Sequence, residues 1–208
     1  MRHLADAWIP LARRVGARDD VAGTGSALLG RWSEPHRAYH DLAHLDEVLR
    51  RVDLLAGEAD QPDVVRLAAW FHDAVYDPRA TDNEERSAEV ATVALADLGL
   101  APDVVDEVAR LVRLTATHGA APGDRDGAVL CDADLAVLAS DSLRYQSYAE
   151  GVRREYAHLD DATFARGRAD VLRRLLDRPQ LFTTSYGRRE WEQRARAHVA
   201  VELRSLAD

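Results

Sequence analysis

The chain has 208 residues, of which 47% are hydrophobic and 30% are charged, and its formal net charge is −9 at pH 7. This profile is typical of one soluble globular domain, and the negative charge argues against a nucleic-acid polymer as partner because phosphate backbones bind basic surfaces. All 27 basic residues are arginine, which excludes lysine nucleophiles and a P-loop lysine. The single Cys131 excludes an intrachain disulfide and zinc sites built on cysteine pairs.

Hydrophobic residues recur with helical spacing from Leu42 onward. The first stripe predicts a helix that ends near Gly57. A second helix is expected to contain Pro62 in its first turn, to continue through Val75 and to stop at Pro78.

Thr81 and Glu84 have the spacing of a capping box, which predicts the start of a third helix, and Gly99 is expected to end it. Pro102 predicts the start of a fourth helix. Glycine and proline then predict a loop over residues 119–127. Four further helical patterns occupy residues 128–139, 142–158, 161–177 and 187–206. The sequence therefore predicts an all-α fold of about eight to ten helices in a single domain over residues 1–208.

Three short segments concentrate histidine and aspartate within apolar helical runs: YHDLAH at 39–44, WFHDAVYD at 70–77 and CDADL at 131–135. Imidazole and carboxylate groups are costly in such surroundings unless they have partners. His40 and His44 are four residues apart and share one face of a helix. Mixed histidine and aspartate ligands without thiolates suit Mn²⁺, Fe²⁺, Co²⁺, Ni²⁺ or Mg²⁺, and zinc is less favoured.

The ordered set of His44, His72-Asp73 and Asp134 resembles the HD superfamily of metal-dependent phosphohydrolases. The chain looks most similar to a bacterial group described as predicted metal-dependent HD-superfamily phosphohydrolases, over residues 34–182. The segments that carry this resemblance are EPHRAYHDLAHL, AAWFHDAVYDP, TDNEERSA, LTATH, DADLAVLA, RREYAHL and FARGRADVLRRLLDRPQLF. The resemblance implies a helical domain with His44, His72, Asp73 and Asp134 as metal ligands. Asp132 is the alternative to Asp134 as the fourth ligand. If Asp134 is the ligand, Asp132 is expected to hold one of the metal ligands in position through a hydrogen bond.

Two further residues have counterparts with proton-transfer roles. His40 resembles the histidine that protonates the leaving oxygen in the cyclic-nucleotide phosphodiesterase branch, although Asp41 follows it where asparagine often stands. Asp77 has the position of the second acid in the HDxxED motif of alarmone hydrolases, whereas Tyr76 replaces the first acid. His40 and Asp77 are therefore the expected catalytic residues.

Arg37, Arg153 and His118 are expected to contact a substrate phosphate, because guanidinium and imidazole groups donate hydrogen bonds to phosphate oxygens. Each has a plainer interpretation. Most of the arginines must be solvated or paired with acids, and a histidine at a helix end interacts favourably with the helix dipole. His118 is also a candidate ligand for a second metal ion.

The expected function is hydrolysis of a small phosphate ester or anhydride that resembles a nucleotide, by water that a divalent metal ion activates. One alternative is a regulatory module that binds metal and a phosphorylated ligand without turnover. Another is a di-iron oxygenase, for which His118 and the Glu84-Glu85 pair are the available extra donors. The absence of a long apolar run and of a signal-peptide core predicts a cytoplasmic protein without a membrane partner. The patterns at 142–158 and 187–206 leave a homodimer open.

Overall fold

The computed structural model describes residues 4–206, and about 70% of the chain is helical. This range contains eleven α-helices, two 3₁₀ turns and no strand. The α-helices are α1 (Leu4–Arg14), α2 (Val21–Trp32), α3 (Leu42–Leu55), α4 (Pro62–Phe71), α5 (Asn83–Asp97), α6 (Pro102–Leu114), α7 (Arg125–Leu135), α8 (Ser142–Glu155), α9 (Asp161–Leu176), α10 (Ser185–Glu190) and α11 (Glu192–Ser205). The 3₁₀ turns are Ala56–Glu58 and Ala136–Ala139.

The prediction of an all-α fold is confirmed, but the last predicted helix is divided. The backbone at Trp191 has φ −112° and ψ −33°, which separates α10 from α11. The indole of Trp191 packs edge-on against Phe182 and Tyr186, so the break places an aromatic side chain in the core. None of the helices within residues 4–206 has both the length and the apolar composition needed to cross a lipid bilayer.

A core of buried aliphatic and aromatic side chains joins α3, α4, α6 and α7. Trp8, Trp32 and Trp70 are almost completely buried in it. Two of these indoles donate hydrogen bonds to buried carbonyls: Trp8 Nε1 to Val21 at 2.6 Å and Trp32 Nε1 to Trp70 at 3.0 Å. Burial of large side chains stabilises a fold by roughly 2–3 kcal/mol each. These indoles therefore give the neighbouring helix ends a rigid support.

The second predicted helix ends earlier than expected. The sequence pattern predicts that it continues through Val75, whereas α4 ends at Phe71. The following carbonyl groups have tertiary partners: Arg37 donates to the carbonyls of Asp73 and Ala74, and the Ser87 hydroxyl bonds to both the amide and the carbonyl of Val75. These partners replace helical hydrogen bonds, so residues 72–75 form a turn.

The capping-box prediction at Thr81 and Glu84 is wrong. Helix α5 begins at Asn83, and its N-cap residue Asp82 makes no capping hydrogen bond through its side chain. Asn83 instead pairs with the backbone of Asp77, with contacts of 3.0 and 2.9 Å. This pairing fixes the turn between α4 and α5.

Several other predicted helix ends agree with the structure. Gly99 follows the end of α5 with φ +74°, a conformation that suits glycine at a helix C-terminus. Pro102 is the first residue of α6. Helix α7 begins within the predicted loop, at Arg125, because Asp124 caps it by accepting a hydrogen bond from the amide of Gly127.

Candidate metal centre

Three helix ends bring histidine and aspartate side chains to one point. His44 lies in the first turn of α3, His72 is the C-cap of α4, and Asp134 lies in the last turn of α7. His44 Nε2 is 3.2 Å from His72 Nε2 and 3.1 Å from Asp134 Oδ1, and His72 Nε2 is 3.7 Å from the same oxygen. These residues form a group that could hold a metal ion. Asp73 Oδ2 adds a fourth donor, 3.2 Å from His72 Nε2 and 3.8 Å from His44 Nε2.

Asp41 positions His44 by capping α3. Its Oδ1 accepts hydrogen bonds from the amides of Ala43 at 2.8 Å and His44 at 3.2 Å. A side-chain acceptor at the N-cap satisfies amides that have no partner within the helix. The aspartate after His40 thus has a structural role, because it fixes the turn from which His44 enters the cluster.

The ring of His72 is oriented by its own helix and by Trp32. Its Nδ1 donates to the carbonyl of Ala69 at 2.8 Å, because a carbonyl oxygen can only accept. In the neutral ring this leaves the lone pair on Nε2, which faces the cluster, and a metal ligand needs that tautomer. Trp32 packs against the imidazoles of both His72 and His44, with ring centroids 5.3 and 6.2 Å apart.

The electrostatics of the cluster favour a cation. The side chains of Asp73 and Asp134 are only 15% exposed, and those of His44 and His72 are almost fully buried. Burial alone raises the pKa of Asp134, but the charge of His72 and hydrogen bonds from His118, His44 and His72 hold that pKa well below its usual value. Burial lowers the pKa of His72, but the charges of Asp73 and Asp134 raise it well above its usual value. Two ionised carboxylates therefore stabilise positive charge at this point.

The donor distances fit a single divalent ion. Ligand bonds of about 2.1 Å place neighbouring donor atoms about 3.0 Å apart at right angles and about 3.4 Å apart in a tetrahedron. The distances between the donor atoms of His44, His72 and Asp134 are 3.1 to 3.7 Å. Nitrogen and carboxylate donors suit Mn²⁺, Fe²⁺, Co²⁺, Ni²⁺ or Zn²⁺. The donor set thus fits a divalent metal ion and is compatible with each of these elements.

His40 faces the same cavity and is held by Glu155, the last residue of α8. His40 Nδ1 is 2.7 Å from Glu155 Oε2, and the ring stacks on Tyr76 with centroids 4.2 Å apart. The Tyr76 hydroxyl donates to the same carboxylate oxygen at 2.8 Å. Burial lowers the pKa of His40, but the hydrogen bond to Glu155 and the charges of Asp73 and Asp134 raise it overall.

His118 contacts the cluster through Asp134. Its Nε2 lies 2.7 Å from Asp134 Oδ2, the oxygen that does not face His44. His118 has φ +48°, an uncommon conformation for a residue other than glycine. Arg178 holds this segment by donating to the carbonyls of Thr117 and His118. The direct contact is therefore with a candidate ligand, and contact of His118 with a substrate stays a prediction.

Asp132 lies outside the cluster. Its carboxylate accepts hydrogen bonds from the amides of Thr183 and Thr184 and from the Thr184 hydroxyl, at 2.6 to 3.0 Å. Its hydrogen bonds to the protein thus hold the segment that enters α10, and none of them orients a metal ligand as the sequence predicted. Of the two aspartates, the structure brings Asp134 to the histidines.

Three other predicted site residues have structural contacts instead. Asp77 is exposed in the turn before α5, where its carboxylate accepts from the amide of Arg79, and it does not line the cavity. Arg37 has no exposed side-chain surface and donates to the carbonyls of His40, Asp73 and Ala74. Arg153 donates to the Tyr156 and Leu159 carbonyls and to Asp161. The structure therefore does not bring these three side chains to the cluster.

A cavity of about 690 Å³ opens beside the cluster. His40, Asp73, His118 and Asp134 line it. Side chains of α8 and α9 and of the second 3₁₀ turn also line it. Its volume lies within the range of small-molecule sites.

The sequence interpretation did not identify Glu155. Its two oxygens together accept five hydrogen bonds, although it stands in a segment that was considered only for Arg153. One signal was available: Glu155 lies between Val152 and Tyr156 on the apolar stripe of α8. A carboxylate on a buried stripe requires partners.

Histidine and aspartate residues from separated segments thus form one cluster beside a cavity. No family model matches the chain, and no curated protein or solved structure matches it. A function must therefore be inferred from the chemistry of the site itself.

Proposed function

We propose that this chain is a metal-dependent phosphohydrolase of the HD type that acts on a small phosphate ester or anhydride. The observation that carries the proposal is the convergence of His44, His72 and Asp134, with Asp73 beside them, next to a cavity that His40 also lines. These are the residues, in the same order along the chain, for which the resemblance to HD phosphohydrolases implies metal ligation.

The protein groups around the cluster suit this chemistry. A divalent ion held by the four residues would lower the pKa of water and polarise a phosphoryl oxygen. Glu155 occupies Nδ1 of His40, which leaves Nε2 available to the cavity. In the proposed reaction a water molecule loses one proton to solvent as its oxygen bonds to phosphorus, and the bond to the leaving oxygen breaks. His40 donates its Nε2 proton to that oxygen and regains a proton from solvent.

The proposal is tested by elemental analysis of the purified protein together with a phosphate-release screen. The screen covers nucleotides, sugar phosphates, aryl phosphates and pyrophosphate, each with Mn²⁺, Fe²⁺, Co²⁺, Ni²⁺, Mg²⁺ or Zn²⁺. We expect about one metal ion per chain and turnover of one compound class. His72→Ala should lose both, whereas His158→Ala, a histidine exposed outside the cluster, should keep both.

Three outcomes would contradict the proposal. Undiminished phosphate release by metal-free His72→Ala protein would overturn the metal-dependent mechanism. Bound metal without release from any compound would favour a binding module. Two irons per chain and consumption of oxygen would favour an oxygenase.

A further inference from the structure

Helix α9 presents one continuous stripe to the cavity. The residues of this stripe, including Arg178 just beyond the end of the helix, recur at spacings of three and four, which place them on one face. They are Phe164, Gly167, Arg168, Val171, Arg174, Leu175 and Arg178. At 1.5 Å per residue the stripe is about 20 Å long. Helix α9 and the turn after it therefore line the cavity over nearly their whole length.

The three arginines of this wall differ in their partners. Arg168 is buried and held by Glu202 at 2.7 Å and by the Tyr148 hydroxyl at 2.9 Å. Arg178 donates to the carbonyls of Thr117 and His118 at 2.5 and 3.1 Å. Arg174 makes no hydrogen bond or ion pair with any residue in the part of the chain that is described. Its guanidinium is therefore available to a ligand.

Arg174 lines the same cavity as Asp73 and Asp134 of the metal-binding cluster. It precedes Arg178 by one helical turn on the same face of α9. Arg178 contacts the backbone of His118, and His118 contacts Asp134 at 2.7 Å. Arg174 thus belongs to the face of α9 that continues to Arg178, and a phosphate bound in the cavity would meet its exposed guanidinium without a competing partner.

The rest of the cavity offers few hydrogen bonds. Aliphatic and aromatic side chains form most of the wall away from the cluster, and they include Val137, Leu138, Val152, Leu159, Phe164 and Val171. The hydroxyls of Thr115, Thr117 and Thr163, which also line the cavity, donate to Val112, Leu114 and Asp160.

Glu84 lines the cavity and has no hydrogen bond or ion pair with a described residue. Burial raises the pKa of the Tyr156 hydroxyl, and the charges of Glu155 and Glu84 add to this rise while Arg168 opposes it. A carboxylate there disfavours a second anionic group in the ligand. The cavity thus combines the metal-binding cluster and the unpaired Arg174 with apolar side chains and the unpaired Glu84.

On the basis of the proposed phosphohydrolase function, we infer that the substrate is a phosphate monoester of an apolar organic group, aryl rather than polyol, and that Arg174 binds its phosphate. The organic group packs against the apolar members of the α9 stripe, which are Phe164, Val171 and Leu175. A polyol phosphate would lose its hydration against these apolar side chains, which offer it no hydrogen bonds, and this loss opposes its binding.

Calorimetric binding tests the inference independently of turnover. The probe is 1-naphthylmethylphosphonate, which cannot be hydrolysed, and it is titrated into Mn²⁺-treated and EDTA-treated protein. We expect it to bind the Mn²⁺-treated protein at least about tenfold more tightly than glycerol 3-phosphate does, since apolar burial discriminates by roughly that factor. Equal or tighter binding of glycerol 3-phosphate, or no binding of the phosphonate, would overturn the inference.

Variants on α9 then assign the two contacts. Arg174→Gln should weaken phosphonate binding at least about tenfold, because a charge-assisted hydrogen bond is lost. The matched control is Arg173→Gln, which alters an exposed arginine that pairs with Asp170 outside the cavity. It should bind as the parent does, and equal binding by both variants would exclude Arg174 as the phosphate ligand. Val171→Asn should reduce the preference for naphthyl over glycerol severalfold, and an unchanged preference would remove α9 from the organic subsite.

These measurements distinguish the inference from the proposed function. If the phosphonate binds with the expected selectivity but no phosphate ester is hydrolysed, the ligand class stands and the hydrolase proposal fails. If polyol phosphates are hydrolysed in preference to aryl phosphates, the hydrolase stands and the inferred class is wrong.

Discussion

Glu155 holds His40 through both its backbone and its ring. Glu155 Oε1 accepts from the amides of Ala38, Tyr39 and His40 at 2.7 to 2.9 Å, while Oε2 lies 2.7 Å from His40 Nδ1. One carboxylate therefore fixes the turn before α3 and the orientation of the imidazole on that turn. Within the proposed mechanism, Glu155 is a positioning residue for the proton donor.

Glu155→Gln should lower kcat about 10- to 100-fold and leave KM and the metal content close to those of the parent. The amide has one acceptor oxygen in place of two, so either the turn or the imidazole loses its partner. Steady-state kinetics and elemental analysis measure the effect. Glu150→Gln, on the exposed face of α8, is the control. A rise in KM without a change in kcat would contradict the positioning role.

Glu155 should also contribute to the pH dependence of stability. Burial raises its pKa, but the hydrogen bond and charge of His40 and the backbone amides lower it from 4.5 to about 2. A carboxyl whose pKa is lowered in the folded state stabilises the fold above its unfolded pKa and loses this effect as the pH falls. We therefore expect a loss on the order of 3 kcal/mol in the free energy of unfolding between pH 4.5 and 2.

Urea unfolding at pH 4.5, 3 and 2 measures this loss. The comparison protein is Glu155→Gln, which has no carboxyl to titrate at that position. Its free energy of unfolding should decline less over the same interval, and equal declines would show that other acids cause the acid sensitivity.

Asp134→Asn and Asp132→Asn should separate metal binding from stability. Asp134 faces His44 and His72, so its amide variant should lose bound metal. Asp132 accepts hydrogen bonds from Thr183 and Thr184, so its variant should keep the metal but lose about 1–3 kcal/mol of stability. Elemental analysis and urea unfolding of both proteins give the two readouts. Loss of metal in the Asp132 variant would contradict the assignment.

Arg37→Met should act on folding rather than on substrate binding. The buried guanidinium joins the carbonyls of His40, Asp73 and Ala74, and the substitution leaves these acceptors without their donor. We expect a loss of about 2–4 kcal/mol in the free energy of unfolding, measured with urea. If stability is unchanged and KM rises tenfold, Arg37 contacts the substrate after all.

Addition of metal should raise the melting temperature. A ligand at about 100 times its Kd stabilises the native state by about 2.7 kcal/mol, which corresponds to about 5–10 °C for a chain of this length. Differential scanning calorimetry of EDTA-treated protein with and without Mn²⁺ measures the shift. The His72→Ala protein should show no shift, and an equal shift would place the binding site elsewhere.

Local sequence signals predicted most of the helices and the participants of the cluster. Prolines at the starts of α4 and α6 and Gly99 after α5 act within one helical turn, so their effect can be seen in the sequence. The predicted end of α4 was wrong because the carbonyls beyond Phe71 bond to Arg37 and Ser87. Those partners are far away in the sequence, and no local pattern contains them.

The sequence by itself therefore determined the helical class and the residue types able to bind a metal. Tertiary structure alone decided which aspartate joins the histidines. Asp132 and Asp134 are two positions apart, which is about 200° around a helix, so they must face different neighbours. The packing of α7 directs Asp134 to His44 and Asp132 to Thr184. For the same reason the sequence did not reveal the roles of Glu155 and Arg174. Glu155 meets His40, and Arg174 lines the cavity, only in the folded chain.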